Sequence, residues 1–406
     1  MNNNAIKKDD ILNSLSIVMQ GPLYDWNIVQ TAQLISQWRN IFPQSKIIFS
    51  ISQSDLIIFD GPGVIPELRI ARVHRNNVTF QDALALINQF CDIAVMSDSA
   101  ISLPPVKKGL RENNCNLQIE AAKCGLRLVE TDYVLRIRND IVFSDTSFID
   151  YYIENFDLPR GDYTALKQRV LISEFFTLNP FTFERLPFHY SDWLHFGLTE
   201  DVKKLWNVPA YGIIDATYYQ RNSYKKGSGP RENTFTSRYA VEQYLAITVF
   251  KKYFHNIKLD YHNDTTSINE SMYILADNFI ISDFTKTKIY FEKYQHIMSH
   301  GNINIVCLSH DAWKRIVFNR GKNVSFCNLF KKEIKISEKS LKNNPNNEIF
   351  PTPNDLLTKI FFKILLSLSN NRKRNKLQNS PKIFFADSRN PITRFFGKKY
   401  ISSMEL

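Results

Sequence analysis

The first 140 residues alternate short apolar runs with longer amphipathic stretches. The apolar runs predict buried strands at 15–20, 46–51 and 133–137, with a short strand at 71–75. Apolar residues at helical spacing predict helices over 27–39 and 116–129. Strands that alternate with helices are typical of βαβ units. We therefore predict an α/β fold with a mostly parallel central sheet flanked by helices.

The remainder of the chain divides by composition. Residues 163–300 are rich in aromatic and polar side chains, and this part is predicted to continue the sheet. Its predicted elements are strands near 165–172 and 211–214 and a helix over 240–254. Lys, Asn, Ser and Pro dominate the next segment, which is typical of a linker. The predicted organisation is a domain over 1–330, a linker over 331–353 and a basic, helical C-terminal segment over 354–406.

The positive charge of the chain lies near its C-terminus. The 406 residues include 51 Lys and Arg against 40 Asp and Glu, a formal net charge of +11. Residues 311–406 hold 20 basic and 7 acidic side chains, which leaves 31 basic and 33 acidic in residues 1–310. A nucleic-acid-binding domain spreads basic residues over its folded body. The nearly neutral body therefore argues against nucleic acid as a partner.

Cysteine usage and the length of the apolar runs indicate the compartment. The five cysteines are scattered and form no C-x-x-C pair, so neither a disulfide framework nor a zinc ribbon is indicated. The first ten residues have no apolar core of a secretory signal. No run reaches the roughly 18–20 apolar residues that a membrane-spanning helix needs. These features predict a cytoplasmic protein.

Polar residues follow two of the predicted strands. Gln20 is the last residue of the first strand, and Gly21 and Pro22 come directly after it. Arg138, Asn139 and Asp140 follow the strand at 133–137. Open α/β sheets bind ligands beyond the carboxyl ends of their strands, so this edge is the predicted site.

Asp140 has two interpretations. Its carboxylate can hold Mg²⁺ or Mn²⁺ between two phosphates, because such cations bind carboxylate oxygens. It can instead be a turn acid that pairs with Arg136 or Arg138. A complete Asp-x-Asp would favour the metal, but Arg138 replaces the first acid, and a guanidinium can contact a diphosphate itself. A metal-independent site therefore stays open.

Residues around the start of the 116–129 helix form a second candidate group. Arg111 closes a basic run with Lys107 and Lys108, and this run can neutralise a phosphate or form a solvated surface. Asn116 and Gln118 can contact a nucleotide or cap the N-terminus of the helix.

Candidate sugar-binding and catalytic groups lie farther along the chain. Residues 188–198 place Asp192 among aromatic side chains, with His189, Trp193 and His195. Such a mixture can grip a sugar ring, although core packing explains the aromatic residues equally well. Glu242 opens the predicted 240–254 helix after Arg238. Its carboxylate can deprotonate a hydroxyl as a general base or simply favour the helix dipole.

The C-terminal segment also has two interpretations. Residues 356–368 are largely apolar and precede a basic cluster at 372–376. A helix of this kind can lie in the headgroup plane and bind anionic lipid, with each basic residue adding about 1 kcal/mol. It can alternatively be a buried or subunit-interface helix. The charge distribution favours the membrane, so we predict peripheral association with the inner face of the plasma membrane.

Taken in order, these motifs resemble the WavE lipopolysaccharide-synthesis family of bacterial glycosyltransferases. The resemblance rests on the segments at 17–23, 42–50, 116–126, 133–141, 190–198 and 242–245. It implies a GT-A-like fold, with a nucleotide-binding half over about 1–145 and an acceptor half over about 146–330. It also implies sugar transfer from a nucleotide-sugar donor to a lipopolysaccharide, capsule or related glycan, either lipid-linked or an oligosaccharide.

The resemblance places roles on particular residues. The position of the family's Asp-x-Asp corresponds to residues 138–140, and the acid after the sheet corresponds to Glu242. The predicted base is Glu242, followed by Asp192. Predicted donor contacts are Gln20, Gly21, Pro22, Arg111, Asn116, Gln118, Arg138, Asn139 and Asp140. Predicted acceptor contacts are His189, Trp193, His195 and Arg238.

Two other functions fit the same motifs. One is a phosphotransferase or nucleotidyltransferase of the same glycan pathway, which would release a different product from the donor. The other is a non-catalytic glycan-binding scaffold, which would bind the acceptor without affinity for a nucleotide sugar.

Overall fold

A computed structural model describes residues 6–23, 28–52, 80–98, 100–110, 112–291, 294, 303–320, 322 and 324–343. Most of these belong to one compact unit, which comprises residues 1–293 and 304–343. The predicted strand at 71–75, Arg111 and the segment 354–406 lie outside the described residues. Within the described part of the chain, no helix is both long and apolar enough to cross a lipid bilayer.

The described strands are short and mostly buried. They are β1 Leu15–Gln20, β2 Lys46–Ile51, β3 Ile93–Met96, β4 Tyr133–Arg138, β5 Val142–Phe143, β6 Val170–Ile172, β7 Leu194–Leu198, β8 Phe279–Ile281 and β9 Ile289–Tyr290.

The described α-helices connect the strands and cover the sheet. They are α1 Lys8–Asn13, α2 Ile28–Ile41, α3 Phe80–Asn88, α4 Cys115–Arg127, α5 Ser147–Asn155, α6 Thr199–Trp206, α7 Ile213–Ala216, α8 Val241–Phe250, α9 Ile268–Asn278, α10 Phe284–Thr287, α11 Ile303–Val306, α12 His310–Asn319, α13 Phe326–Leu329 and α14 Lys331–Asn343. Two 3₁₀ turns, Tyr218–Gln220 and Glu232–Thr234, lie between α7 and α8.

Seven strands form the central sheet in the order β3-β2-β1-β4-β7-β6-β8. Six of them run parallel, and β7 runs antiparallel to both of its neighbours. Every residue of β1 is buried, as expected for a parallel strand covered on both faces. The predicted α/β fold with a mostly parallel sheet and flanking helices is therefore confirmed.

Helices cover opposite faces of the sheet at β7, where successive side chains point to opposite sides. Phe196 packs edge-on against Phe148 and Tyr152 of α5, with ring centroids 4.9 Å apart in each pair. The indole of Trp206 in α6 instead donates to His195 Nδ1 at 3.1 Å. Because β7 is antiparallel, its N-terminal end lies at the same edge of the sheet as the carboxyl ends of β1 and β4.

One predicted element is wrong, and a helix that was not predicted lies in the segment interpreted as a linker. Residues 211–214 form no strand, because Ile213 and Ile214 lie at the surface and begin α7. The predicted linker begins with a helix, α14, and residues 344–353 lie outside the described residues. Ile334, Ser337 and Leu341 recur at helical spacing and turn inward, while the intervening lysines are exposed. The polar composition of residues 331–353 does not reveal this amphipathic pattern.

Candidate active site

The two predicted strand ends meet at one edge of the sheet. β1 and β4 are parallel neighbours, and Gln20 lies opposite Arg138. The backbone N–H of Asn139 donates to the carbonyl oxygen of Gln20 at 2.9 Å. The Asn139 side-chain amide donates to the carbonyl oxygen of Pro22, also at 2.9 Å. Parallel pairing thus brings together two motifs that are more than a hundred residues apart in sequence.

Gly21 permits this close approach. A Cβ atom at position 21 would lie 1.9 Å from Asn139 Oδ1 and 2.3 Å from its side-chain carbon. No side chain fits there unless Asn139 moves. The glycine is therefore required by the contact between the two strand ends.

Arg138 and Asp140 form a two-pronged ion pair. Arg138 Nε donates to Asp140 Oδ1 at 2.9 Å, and a terminal guanidinium nitrogen contacts Oδ2. Both side chains are partly exposed. The guanidinium also lies 5.2 Å from the ring centre of Trp193, a distance that suits a cation–π contact.

This ion pair bears on the predicted metal site. Both oxygens of Asp140 are engaged by a cation, and a divalent ion there would have to displace Arg138 and tolerate its charge. No cluster of three or more His, Cys, Asp or Glu side chains suited to a metal occurs among the described residues. The residues as arranged do not fit a divalent cation, and the pairing favours the interpretation of Asp140 as the partner of Arg138.

Arg136 lies two residues before Arg138 in β4 and is almost fully buried. Its Nε donates to Gln20 Oε1 at 3.0 Å, and a terminal nitrogen donates to the carbonyl oxygen of Asp192. The guanidinium stacks 4.0 Å from the ring centre of Trp206. Burial lowers the pKa of Arg136 to about 9. Arg136 thus fixes both Gln20 and the backbone at Asp192, a role that sequence reasoning missed.

Two carboxyl groups lie beside this edge, of which Asp192 is buried and Glu242 is partly buried. Asp192 precedes β7, and Glu242 lies in the first turn of α8. Burial raises the pKa of Asp192 to about 6, and the charge of Glu242 acts in the same direction. Burial also raises the pKa of Glu242 to about 7, against the opposing effect of its own backbone N–H, Lys107 and Arg138. A carboxyl group with a pKa near neutrality is suited to accept a proton.

Further groups surround the two carboxyls. His189 Nε2 lies 3.4 Å from Glu242 Oε2. Lys107 pairs with Glu184 at 2.8 Å and lies 4.7 Å from the ring centre of Phe235. Burial, followed by the charges of Asp192 and Glu242, raises the pKa of the Cys115 thiol well above its usual value. No motif in the sequence identified Glu184 or Cys115, which reach the site only through folding.

Two of the predicted donor contacts, Asn116 and Gln118, make hydrogen bonds within the protein. Asn116 exchanges two hydrogen bonds with the backbone of Tyr211, at 3.1 and 2.6 Å, one at each atom of its side-chain amide. The Gln118 carbonyl accepts from the Gln20 side chain at 3.4 Å. Gln118 Oε1 is buried and has no hydrogen-bond partner among the described residues.

The predicted acceptor contacts also make contacts within the protein. His195 accepts from the Trp206 indole, and Trp193 is enclosed by Phe176 and Phe291. Both are buried. Arg238 lies in another cluster, where it donates to the carbonyl of Asp260 at 2.6 Å and pairs with Asp215 at 3.4 Å. His189 is also buried, but it lies against Glu242.

A comparison with protein families agrees with the resemblance seen in the sequence. The family described as WavE lipopolysaccharide synthesis matches residues 106–334. No curated protein matches the chain. The galactosyltransferase LgtC, solved with donor and acceptor sugar analogues, is 8% identical and has a TM-score of 0.29, with 78% of this chain and 99% of that chain covered. The glycosyltransferase GlyE of Streptococcus pneumoniae TIGR4, in its apo form, is 10% identical and has a TM-score of 0.26, with 79% and 63% covered.

Proposed function

The chain belongs to the WavE lipopolysaccharide synthesis family and is a glycosyltransferase, and from this premise we propose that it moves a sugar from a nucleotide-sugar donor to a lipopolysaccharide, capsule or related surface glycan. The observation that carries this proposal is the pair of carboxyls with raised pKa, the buried Asp192 and the partly buried Glu242, beside the guanidinium of Arg138. Sugar transfer needs a base for the acceptor hydroxyl and a cation for the departing diphosphate. This edge of the sheet offers both.

The donor side is the edge formed by residues 20–22 and 138–140. A diphosphate presents two oxygens to a guanidinium much as a carboxylate does. In the proposal, Asp140 holds the Arg138 guanidinium in place until the donor phosphates replace the carboxylate. The aromatic ring of Trp193 beneath Arg138 keeps its plane fixed during this exchange.

The reaction we propose is a direct displacement. Glu242 accepts the proton of the acceptor hydroxyl while that oxygen forms a bond to the anomeric carbon of the donor. The bond from this carbon to the diphosphate breaks, its electron pair leaves with the nucleoside diphosphate, and Arg138 compensates the charge. Asp192 orients the acceptor. A base used in this way predicts inversion at the anomeric carbon, whereas retention would leave both acids to position the acceptor.

The test is a thermal-shift screen against UDP-, GDP-, CMP- and ADP-sugars. A ligand that binds only the folded state raises the unfolding temperature. We expect one nucleotide class to stabilise the protein and, with acceptor present, to be released by sugar transfer as the nucleoside diphosphate from a UDP-, GDP- or ADP-sugar, or as CMP from a CMP-sugar. Release of a different nucleotide product would indicate a phosphotransferase or nucleotidyltransferase. Acceptor binding without any response to a nucleotide sugar would indicate a scaffold.

Arg138→Met is expected to weaken the nucleotide sugar found in this screen about 10- to 100-fold, because a hydrogen bond to a charged group contributes about 1.5–3 kcal/mol. Donor titration by calorimetry measures the effect. Lys8→Met is the control, since Lys8 forms an exposed ion pair with Asp150 in α5. Equal donor affinity in Arg138→Met and the wild type would contradict the phosphate role of Arg138.

The C-terminal segment is part of the proposal as a membrane contact. Residues 354–406 carry the apolar stretch and the basic cluster noted in the sequence, and a glycolipid acceptor lies at an anionic membrane surface. We propose that the enzyme acts in the cytoplasm, on the inner face of the plasma membrane.

Deletion of residues 354–406 is expected to abolish cosedimentation with vesicles that contain anionic lipid and to leave donor affinity unchanged. The basic segment would lose its electrostatic attraction, while the donor site lies elsewhere in the chain. Vesicles of neutral phosphatidylcholine are the control, and the full chain should bind them weakly. Undiminished binding of the truncated protein to anionic vesicles would return the segment to the interpretation as a subunit-interface or buried helix.

A further inference from the structure

His189 is held between a backbone carbonyl and the carboxyl group of Glu242. Its Nδ1 lies 2.8 Å from the carbonyl oxygen of Phe176. A carbonyl oxygen can only accept a hydrogen bond, so Nδ1 carries the proton. In a neutral imidazole the other nitrogen is then an unprotonated acceptor. That nitrogen, Nε2, is the one that lies 3.4 Å from Glu242 Oε2.

The ring is kept neutral by its surroundings. His189 is buried, and burial lowers its pKa to about 4. The charged groups that face it are Lys107, Glu184, Asp192 and Glu242. Its lone pair therefore persists at neutral pH, and the contact with Glu242 is favourable when Glu242 carries a proton to donate.

Backbone strain is concentrated at the same contact. Phe176, which supplies the carbonyl, and Phe188, which precedes His189, both have φ of 61°. Bulky residues rarely adopt this left-handed conformation, which persists only where surrounding contacts enforce it. The backbone N–H of Leu178 also donates to the carbonyl of His189 at 3.0 Å. Two strained residues thus fix both ends of the contact that orients the imidazole.

We infer that His189 is a positioning residue for Glu242, and that its Nε2 lone pair receives a hydrogen bond from the Glu242 carboxyl group once that group has taken the acceptor's proton. The inference rests on the proposed role of Glu242 as base. Before the reaction the lone pair faces a carboxylate, which is unfavourable. After proton transfer it faces an O–H donor, which is favourable. His189 therefore makes Glu242 a stronger base.

The proton balance is simple. The acceptor hydroxyl gives its proton to Glu242, and the acceptor oxygen forms the new glycosidic bond. The proton stays on the Glu242 oxygen and is shared by hydrogen bond with His189 Nε2, which gains no formal charge. Besides His189, the charged or titratable groups that face Glu242 are Lys107, Arg138, Asp192 and Cys115.

The first test is made on the ligand-free full chain with ¹⁵N-labelled histidine, by NMR between pH 5 and 9. We expect His189 to be neutral with its proton on Nδ1, and its Nε2 resonance to shift with an apparent pKa near 7, as Glu242 titrates. His310 is an internal control, because its Nδ1 also contacts a carbonyl oxygen, that of Ile281 at 3.0 Å, and it lies away from Glu242. A proton on Nε2 of His189 would overturn the inference.

The second test uses activity. Asparagine reaches about as far as Nδ1 and can still donate to Phe176, whereas glutamine presents an acceptor oxygen near the position of Nε2. His189→Asn is expected to lower kcat about tenfold and to move the acid limb of the pH profile down by about one unit, which is the size of one hydrogen bond between neutral groups. His189→Gln is expected to restore part of both changes.

The outcomes separate two failures. If Glu242→Gln leaves transfer at the wild-type rate, the proposed base is wrong and the role of His189 is lost with it. If Glu242→Gln abolishes transfer but His189→Asn changes only the unfolding temperature, as His310→Asn is expected to do, the base is retained and the inference about His189 is overturned.

Discussion

Replacing Glu242 by glutamine is expected to lower kcat by about 10²- to 10⁴-fold, the range that a positioned general base contributes. Glutamine has the shape of glutamate but cannot accept the proton of the acceptor hydroxyl. Its amide can still donate to His189 Nε2, which lies 3.4 Å from the present carboxylate oxygen, so the local packing is preserved. Initial rates with saturating donor and acceptor measure the loss.

The pH dependence of kcat/KM identifies the group that acts as the base. Because the pKa of Glu242 is raised to about 7, the base form is depleted as pH falls, and kcat/KM of the wild type should decline below pH 7. Asp192, with a pKa of about 6, adds a further decline at lower pH. The residual activity of Glu242→Gln should not show the limb near pH 7.

Stability serves as the control for this variant. Burial penalises the ionised form of Glu242, so the folded state loses stability as pH rises from the ordinary glutamate value towards 7. Glu242→Gln removes that penalty and should resist urea at pH 8 at least as well as the wild type. A Glu242→Gln variant that is inactive because it is unfolded would contradict the expected stability. A variant with nearly full activity would contradict the role of Glu242 as base.

Arg136→Met is expected to lower the free energy of unfolding by about 2–4 kcal/mol. The substitution removes the donors to Gln20 Oε1 and to the carbonyl of Asp192, and a buried acceptor left unpaired costs about 1–3 kcal/mol. The face of Trp206 also loses its cation. Relief of a buried charge offsets part of the loss, which is why the expected total is below the sum of the contacts. Urea unfolding measures the change.

Arg138→Met provides the matched comparison, because the two arginines lie two residues apart on the same face of β4. Arg138 is partly exposed, and loss of an ion pair of that kind costs about 0–1 kcal/mol. We therefore expect Arg136→Met to act on folding and Arg138→Met on donor affinity. Equal urea midpoints for the two variants would show that Arg136 does not support the strand edge.

The predicted elements in the first half agree closely with the structure because their signals are local. The strand at 15–20 and the one beginning at 133 follow from continuous apolar runs. The predicted helices at 27–39 and 116–129 correspond to Ile28–Ile41 and Cys115–Arg127. Residues 211–214 do not form the predicted strand, and the helix at 331–343 was not predicted, because neither apolar content nor polar composition reveals which side of an element meets a core.

The candidate site was predictable only in part. A motif after a strand identifies the edge of the sheet, so Gln20 and Arg138 follow from the sequence and from parallel topology. The partners of each side chain do not, because they depend on contacts between segments far apart in the chain. Trp193 and His195 illustrate this limit, since an aromatic segment looks the same in sequence whether it faces a ligand or a core.

The sequence by itself determined the alternation of strands and helices, the two strand-end motifs, the acid at 242 and the concentration of charge after residue 310. These are properties of hydrophobic period and residue order, which act over short distances. Only the tertiary structure decided that β7 runs antiparallel and brings Asp192 to the edge where β1 and β4 end, that Arg138 pairs with Asp140, and that His189 Nε2 lies beside Glu242. Burial and proximity set the pKa of a carboxyl group, and both exist only in the folded chain.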